Sequence, residues 1–208
     1  MIIKAPSFNP SSGTTVSLRC PACRQLGTFQ PLPNISDIHI PPSFALGHRL
    51  CPNGACRAHV FFVYGNNKLI ISYPAERIDF DTTNIPPNVV TAFEEALTCH
   101  ANQCYVACAI MVRKTLEELC RDRGSTGNTL KDRLTVLGGK VVLPKELLDA
   151  MHDLRLLGND AAHIESQEYN QVGQPEVEAG IAVTKEILKA VYQYQSLVSQ
   201  LRALKKNP

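Results

Sequence analysis

Two sets of residues in this 208-residue chain have the types and spacing that chemistry requires. The first is a doubled cysteine knuckle: CPAC, with Cys20 and Cys23, and CPNGAC, with Cys51 and Cys56. Thiolates paired at such short spacing and brought together by strand ends make the tetrahedral four-sulfur site that structural zinc prefers. The 27 residues between the pairs exceed the usual ribbon gap, and four reduced thiols without metal are the alternative. His48 and His59 flank the second knuckle; either has a nitrogen that can replace a thiolate, but both read better as neighbours of the site. The second set is Arg155, Asn159 and His163, within LLDAMHDLRLLGNDAAH at residues 147–163. On a helix, side chains at i, i+4 and i+8 stack along one edge. A guanidinium, an amide and an imidazole in a row can bind a phosphate or move a proton beside one. They can equally hydrogen-bond neighbouring helices.

The elements that must position these residues differ between the two ends of the chain. Residues 14–18, 29–32, 59–64 and 69–73 read as short strands, with Gly65-Asn66-Asn67 as the turn joining the last two. The polar run DFDTTNIPP at residues 79–87 reads as a linker whose prolines feed a helix. From Asn88 the pattern is helical. Phe93, Ala96 and Leu97, then Tyr105, Cys108, Val112, Leu116 and Leu119, mark one apolar face, with a break expected at residues 100–103. Cys99, Cys104, Cys108 and Cys120 fall in these helices and read as core packing. Asn128 or Thr129 caps a helix through Leu137, ended by Gly138-Gly139. Pro144 opens the helix of the polar row, whose core stripe is Leu147, Met151, Leu154, Gly158 and Ala161. A polar loop over residues 165–174 precedes a last helix from Pro175 toward Leu204, with Ile181, Leu188, Val191, Tyr192, Leu197 and Leu201 on its apolar side. The expected fold is α+β: a small zinc-ribbon-like β domain at residues 1–83, then an all-α bundle of four or five helices at residues 84–208.

Composition narrows the function classes. No stretch approaches the ~20 apolar residues of a membrane span, and residues 1–10 lack a signal-peptide core, so a cytoplasmic protein without membrane contact is expected. Net charge is +2. Residues 1–83 carry seven Lys or Arg against four Asp or Glu, and residues 84–208 carry fourteen against fifteen. Four thiolates on one zinc ion would lower the first region's net charge by two. Without a global basic footprint, constitutive DNA binding is disfavoured and any polyanion must be met locally. There is no Walker phosphate loop, dinucleotide-type glycine fingerprint, HExxH or serine elbow. The GSTGN turn at residues 124–128 reads as an ordinary surface turn.

The ordered features PPNVVTAFEEAL, CAIMVRKTLEELC and LRLLGNDAAH, followed by a final helix with a Tyr-rich turn, resemble the bacterial domain-of-unknown-function family 4145 over roughly residues 84–200. That family is grouped with the HEPN superfamily of helical bundles. The resemblance implies a homodimer that brings together two copies of an Arg-Asn-x-x-x-His motif, in a bacterial defence or stress setting. Many such proteins are metal-independent ribonucleases; others bind nucleotides or partners. Asn159 and His163 match the motif, but its Arg position is Gly158. Arg155, one turn earlier, points within about 60° of a side chain at 158 and is the nearest substitute in sequence.

Three readings follow. One is a dimeric HEPN-like module associated with RNA or a nucleotide, with a zinc-bearing arm and weak or no catalysis. Another is a metal-independent endoribonuclease, with His163 accepting the ribose 2′-hydroxyl proton while Arg155 and Asn159 hold the phosphate. The third is a scaffold whose cysteine arm docks a protein partner; there Arg155 pairs with Glu94, Glu95 or Glu117, and Gly158 serves only to bring two helices close. A catalytic zinc is disfavoured, because four cysteines close the coordination shell.

Overall fold

The computed structural model describes residues 7–11, 13–41, 43–163, 168–169 and 171–204, apart from the Gln195 side chain. The chain divides into two compact units, Met1–Asp79 and Phe80–Pro208. The division falls inside the expected linker because its second half belongs to the helices. Phe80 is buried edge-on against the Phe93 ring at 4.6 Å, and Ile85 is buried as well.

Among the described residues, the first unit contains seven strands: β1 (Asn9–Ser11), β2 (Val16–Arg19), β3 (Leu26–Phe29), β4 (Asp37–Ile40), β5 (Phe44–Leu50), β6 (His59–Gly65) and β7 (Lys68–Tyr73). β2 and β3 form a separate hairpin, and the rest make an antiparallel sheet in the order β1-β4-β5-β6-β7. Asn66 and Asn67, at φ 50° and 60°, make the tight β6–β7 turn, a conformation asparagine tolerates. β3 lies three residues earlier than the sequence pattern places it, and β1, β4 and β5 are strands that the pattern does not mark. The β5 segment FALGHRL has no β-branched residue and carries Gly47, so it lacks a strand signature. Gly47 is required by packing: a Cβ there would sit 2.6 Å from the Phe62 ring.

The core of this unit is small. Val16, Leu18, Phe29, Val60 and Phe62 pack together with Cys20 and Cys51. Beside it, Arg49 and Asp37 are both fully buried, with Arg49 Nη2 and Nη1 donating to Asp37 Oδ2 and Oδ1 at 2.6 and 2.8 Å. Asp37 Oδ2 also accepts from the Thr14 backbone N–H at 2.7 Å, and Arg49 Nε donates to the Thr14 carbonyl at 3.0 Å. The pair thereby ties the chain entering β2 to the sheet.

The second unit contains α1 (Pro87–Ala101), α2 (Tyr105–Asp122), α3 (Leu130–Gly138), α4 (Lys145–Ala162), α5 (Gln174–Leu188), a π-helical turn (Lys189–Gln193) and α6 (Tyr194–Ala203). Gln103, at φ 60°, breaks α1 from α2 where expected. Thr129 caps α3: its hydroxyl accepts from the Asp132 N–H while Asp132 accepts from the Thr129 N–H. Phe93, Ala96, Leu97, Val112, Leu116 and Leu119 are buried, as are Cys108 and Cys120; Cys99 is half-buried, but Cys104 is exposed at the start of α2, outside the expected core. The expected loop at residues 165–174 lies partly outside the described residues. The expected last helix is interrupted. Tyr192 in the π turn donates to Asp122 Oδ2 at 2.8 Å, its ring lies 4.3 Å under the Arg123 guanidinium, and Gln193 Nε2 donates to the carbonyls of Asp81 and Thr83. These anchors use Val191 and Tyr192 as core, whereas Leu197 and Leu201 beyond the turn are exposed rather than buried. No helix is long and apolar enough to cross a membrane, among the described residues.

Candidate metal centre and polar edge

The two knuckles are equivalent hairpin ends. CPAC joins β2 to β3, and CPNGAC joins β5 to β6. In each, the first cysteine's N–H closes the hairpin, Cys20 to the Gln25 carbonyl and Cys51 to the Ala58 carbonyl, both at 2.9 Å. The residue after the second cysteine turns left-handed in both, Arg24 at φ 61° and Arg57 at φ 48°. This repetition aims four sulfurs at one point. Their Sγ atoms all lie within 4.8 Å of one another, with Cys20–Cys56 at 3.8 Å and Cys23–Cys51 at 3.7 Å.

Those separations test the donor set. A disulfide needs about 2.05 Å between sulfurs, and all four cysteines are free. A tetrahedron with metal–sulfur bonds of about 2.3 Å has edges of about 3.8 Å, the two separations seen. The four cysteines therefore sit as a tetrathiolate shell that can hold a metal ion. Electrostatics distinguishes the thiols. The backbone of Gln25, hydrogen-bonded to Cys23, lowers that thiol to about 7, while burial pushes Cys51 up to about 12. One sulfur thus carries charge readily and a buried one does not, so a cation is what allows all of them to ionise. His48 and His59 are not among the converging ligands. They bond each other, His48 Nε2 to His59 Nδ1 at 2.7 Å, with stacked rings 4.9 Å apart. Burial, with the positive charges of His59 and Arg49, holds His48 below its usual value.

The polar row on α4 is arranged differently from its expectation. Arg155 and Asn159 stand one turn apart on the helix, but α4 ends at Ala162 and His163 is its cap, exposed and with extended backbone at φ −133°. His163 N–H still bonds the Asn159 carbonyl at 2.9 Å, so the imidazole is carried by the cap residue at the end of the row. A residue not singled out from sequence joins the row: Arg113 of α2 donates from Nη1 to Asn159 Oδ1 at 2.7 Å and to the Arg155 carbonyl at 3.3 Å. Arg113 Nε also lies 3.5 Å from Glu117 Oε1. Burial pulls the Arg113 guanidinium below its ordinary value; Glu117 opposes this, and the charges of Arg155 and Arg133 add to it. Arg155 Nε is buried and makes no hydrogen bond among the described residues.

Gly158 explains how Arg113 arrives. It is buried where α4 crosses α2, and a Cβ there would lie 2.5 Å from Arg113 Cβ and 3.2 Å from the Ala109 carbonyl oxygen. Glycine lets the helices approach closely enough for Arg113 to reach Asn159. The signal in sequence was limited to MVRKTLEELC, where Arg113 lies one residue past the apolar Val112 and four before Glu117.

A family model described as Domain of unknown function (DUF4145) matches residues 94–207, more than half of the chain. The chain belongs to this family. The DUF4145 match begins within α1 and therefore includes α2 and α4, with Arg113, Arg155, Gly158, Asn159 and His163, and leaves out the cysteine unit. No curated protein and no solved structure matches the chain.

Proposed function

We propose that this protein is a HEPN-like, RNA-associated binding module with weak or no catalysis, whose α2–α4 edge grips a phosphate through Arg113, Arg155 and Asn159. The carrying observation is the Arg113–Asn159 hydrogen bond. It occupies the amide oxygen and so leaves the amide N–H groups as donors beside two guanidinium groups. Glu117 pairs with Arg113 on one side, and the guanidinium and amide N–H groups that remain are donors of the kind a phosphate accepts. Arg113 supplies from a second helix the charge that the Arg-Asn-x-x-x-His pattern places at Gly158. His163 lies beyond the helix end, so the proton acceptor is not fixed beside the phosphate by helix geometry. In the cysteine unit, zinc is the ion that four thiolates suit best, and it acts there as a structural staple for a unit with a small core.

The test is RNA binding and cleavage by the zinc-loaded protein and its Arg113→Ala and His163→Ala variants, each shown to be folded by circular dichroism. The expected result is salt-dependent binding that weakens about 10-fold in Arg113→Ala, with a salt slope shallower by about one. His163→Ala should bind like the parent, and no variant should cleave. Binding indifferent to Arg113→Ala would overturn the proposal. Cleavage by the parent that disappears in His163→Ala would replace it with the endoribonuclease reading.

A further inference from the structure

Both faces of the five-stranded sheet are apolar, although only one of them covers the core. Val60 and Phe62 are buried on the face that holds the Asp37–Arg49 pair. The register puts Ile38 of β4, Leu46 and His48 of β5, Phe61 of β6, and Ile71 and Tyr73 of β7 on the other. An antiparallel sheet with one buried face ordinarily turns polar side chains to water on its second face. Here Ile38, Phe61, Ile71 and Tyr73 are 44%, 54%, 47% and 76% exposed, and the six residues help line an open cavity of about 390 Å3. A contiguous exposed apolar patch of this kind marks a binding surface.

Ring geometry and charge say what the surface takes. His59, His48 and Phe61 form a continuous stack, with centroids 4.9 Å apart at 14° for the two imidazoles and 4.8 Å apart at 21° for His48 on Phe61. His48 lies on the β5 side of Phe61, and Tyr73 is its cross-strand partner on the β7 side. The stack therefore ends at the cavity, where a further flat ring extends it. An aliphatic or peptide occupant would cover the same area without using the ring faces. β4 to β7 contain one carboxylate, Asp37, and it is buried on the opposite face against Arg49. An anionic strand thus meets no like charge on the outer face.

We propose that this outer face is a stacking platform for unpaired bases of single-stranded RNA, with Phe61 and Tyr73 as the rings that receive them. The platform rests on the RNA-associated reading and extends it to a second surface, in the cysteine-bearing unit. Stacking on aromatic side chains draws on ring faces rather than phosphate contacts, so it operates without a basic footprint.

Fluorescence anisotropy with the full zinc-loaded chain tests it, using a short unstructured RNA, the same strand paired to its complement, and a base-free strand of the same sugar-phosphate backbone. The single strand should bind, and the other two should bind about 10-fold more weakly or worse. Phe61→Ala and Tyr73→Ala should each weaken single-strand binding about 5- to 100-fold and leave its salt slope unchanged. Phe61→Leu keeps an apolar side chain of similar size and should lose nearly as much, whereas Phe61→Tyr should bind like the parent. These substitutions lie at exposed positions, and metal content with circular dichroism shows that each variant is folded. Equal binding of the base-free strand, or parental binding by Phe61→Leu, would overturn the platform. Binding that depends on Arg113 but not on Phe61 or Tyr73 would overturn the platform and leave the phosphate-gripping edge standing. Dependence on Phe61 and Tyr73 but not on Arg113 would do the reverse, and a parent that binds no RNA would overturn both.

Discussion

Gly158→Ala tests the helix crossing that underlies the polar edge. In an unconstrained helix interior the change is favourable by about 1 kcal/mol, because alanine has the higher helix propensity. Here the added methyl meets Arg113 Cβ at 2.5 Å, Arg113 Cδ at 2.9 Å and the Ala109 carbonyl oxygen at 3.2 Å. Carbon atoms rest at about 3.5–4.0 Å, so α2 and α4 must separate locally by roughly 1 Å. The Arg113 Cδ contact can be relieved by rotation, but Cβ and the Ala109 carbonyl are fixed to the α2 backbone. Overpacking of this kind costs about 1–3 kcal/mol, and the upper part applies because two of the three contacts cannot yield. The net expectation is destabilisation of about 1–2 kcal/mol, seen as a urea midpoint lowered by roughly 0.5–1 M in far-ultraviolet circular dichroism. Gly138→Ala, at the end of α3, is the control. Its Cβ would meet only the Leu148 methyl carbons at 3.5 Å, an ordinary contact, and its midpoint should hold or rise. The same geometry leaves no room for Gly158→Arg, which should unfold the helical unit rather than restore a catalytic motif. A Gly158→Ala midpoint at or above that of the parent would refute the close-approach argument.

Asp37→Asn removes the charge facing fully buried Arg49 while keeping the side chain's shape, and should cost the β unit about 3–5 kcal/mol; a loss below about 1 kcal/mol in urea unfolding followed by metal release would show that the pair is not desolvated as placed. One metal ion per chain is expected, and cobalt(II) in place of zinc should give the spectrum of a tetrahedral tetrathiolate, altered in Cys51→Ser; a six-coordinate spectrum would exclude the four-sulfur shell. Acid should destabilise the helical unit through Asp132, lowered by the Thr129 side chain and backbone, and Glu178, lowered by Gln174 and His100. Carboxyls depressed in the folded state contribute stability above the ordinary carboxylate range near pH 4, and that contribution is lost as pH falls through their folded values. Thr129→Ala should therefore flatten part of the fall in urea midpoint between pH 5 and about pH 2, and an unchanged acid slope would count against the Asp132 contribution.

Local signals were legible in this sequence wherever one residue type dictates the backbone. The knuckles, the Asn66-Asn67 turn, the Thr129 cap and the break at Gln103 all answer to short-range chemistry, and the structure places them as expected. Elements held by tertiary contact were less visible. β4 and β5 exist because the buried Asp37–Arg49 pair and sheet pairing hold them, not because their residues favour strands. The last helix shows the converse. A continuous apolar pattern predicted a continuous buried face, but the Tyr192–Asp122 and Gln193 bonds hold the chain in a π turn, and the same pattern beyond it faces outward.

At the polar edge, the limit on sequence reading was the assumption that a row is built on one helix. Along α4 the glycine at 158 looks like a missing arginine, and Arg155 looks like its replacement because it is closest in number. Across the helices, the glycine is what admits the arginine. Removing the Cβ at 158 brings the α2 backbone close enough for Arg113 to bond Asn159, a residue 46 positions away in sequence. A side chain delivered from a packed neighbour is held by the crossing of two helices, so its position depends on Ala109 and Gly158 staying small. Substitutions that enlarge either should disturb the Arg113–Asn159 bond before they touch any group that meets a ligand. An Ala109→Val variant should thus weaken RNA binding with Arg113, Arg155 and Asn159 all present, and unaltered binding by that variant, once shown to be folded, would separate the helix crossing from the site.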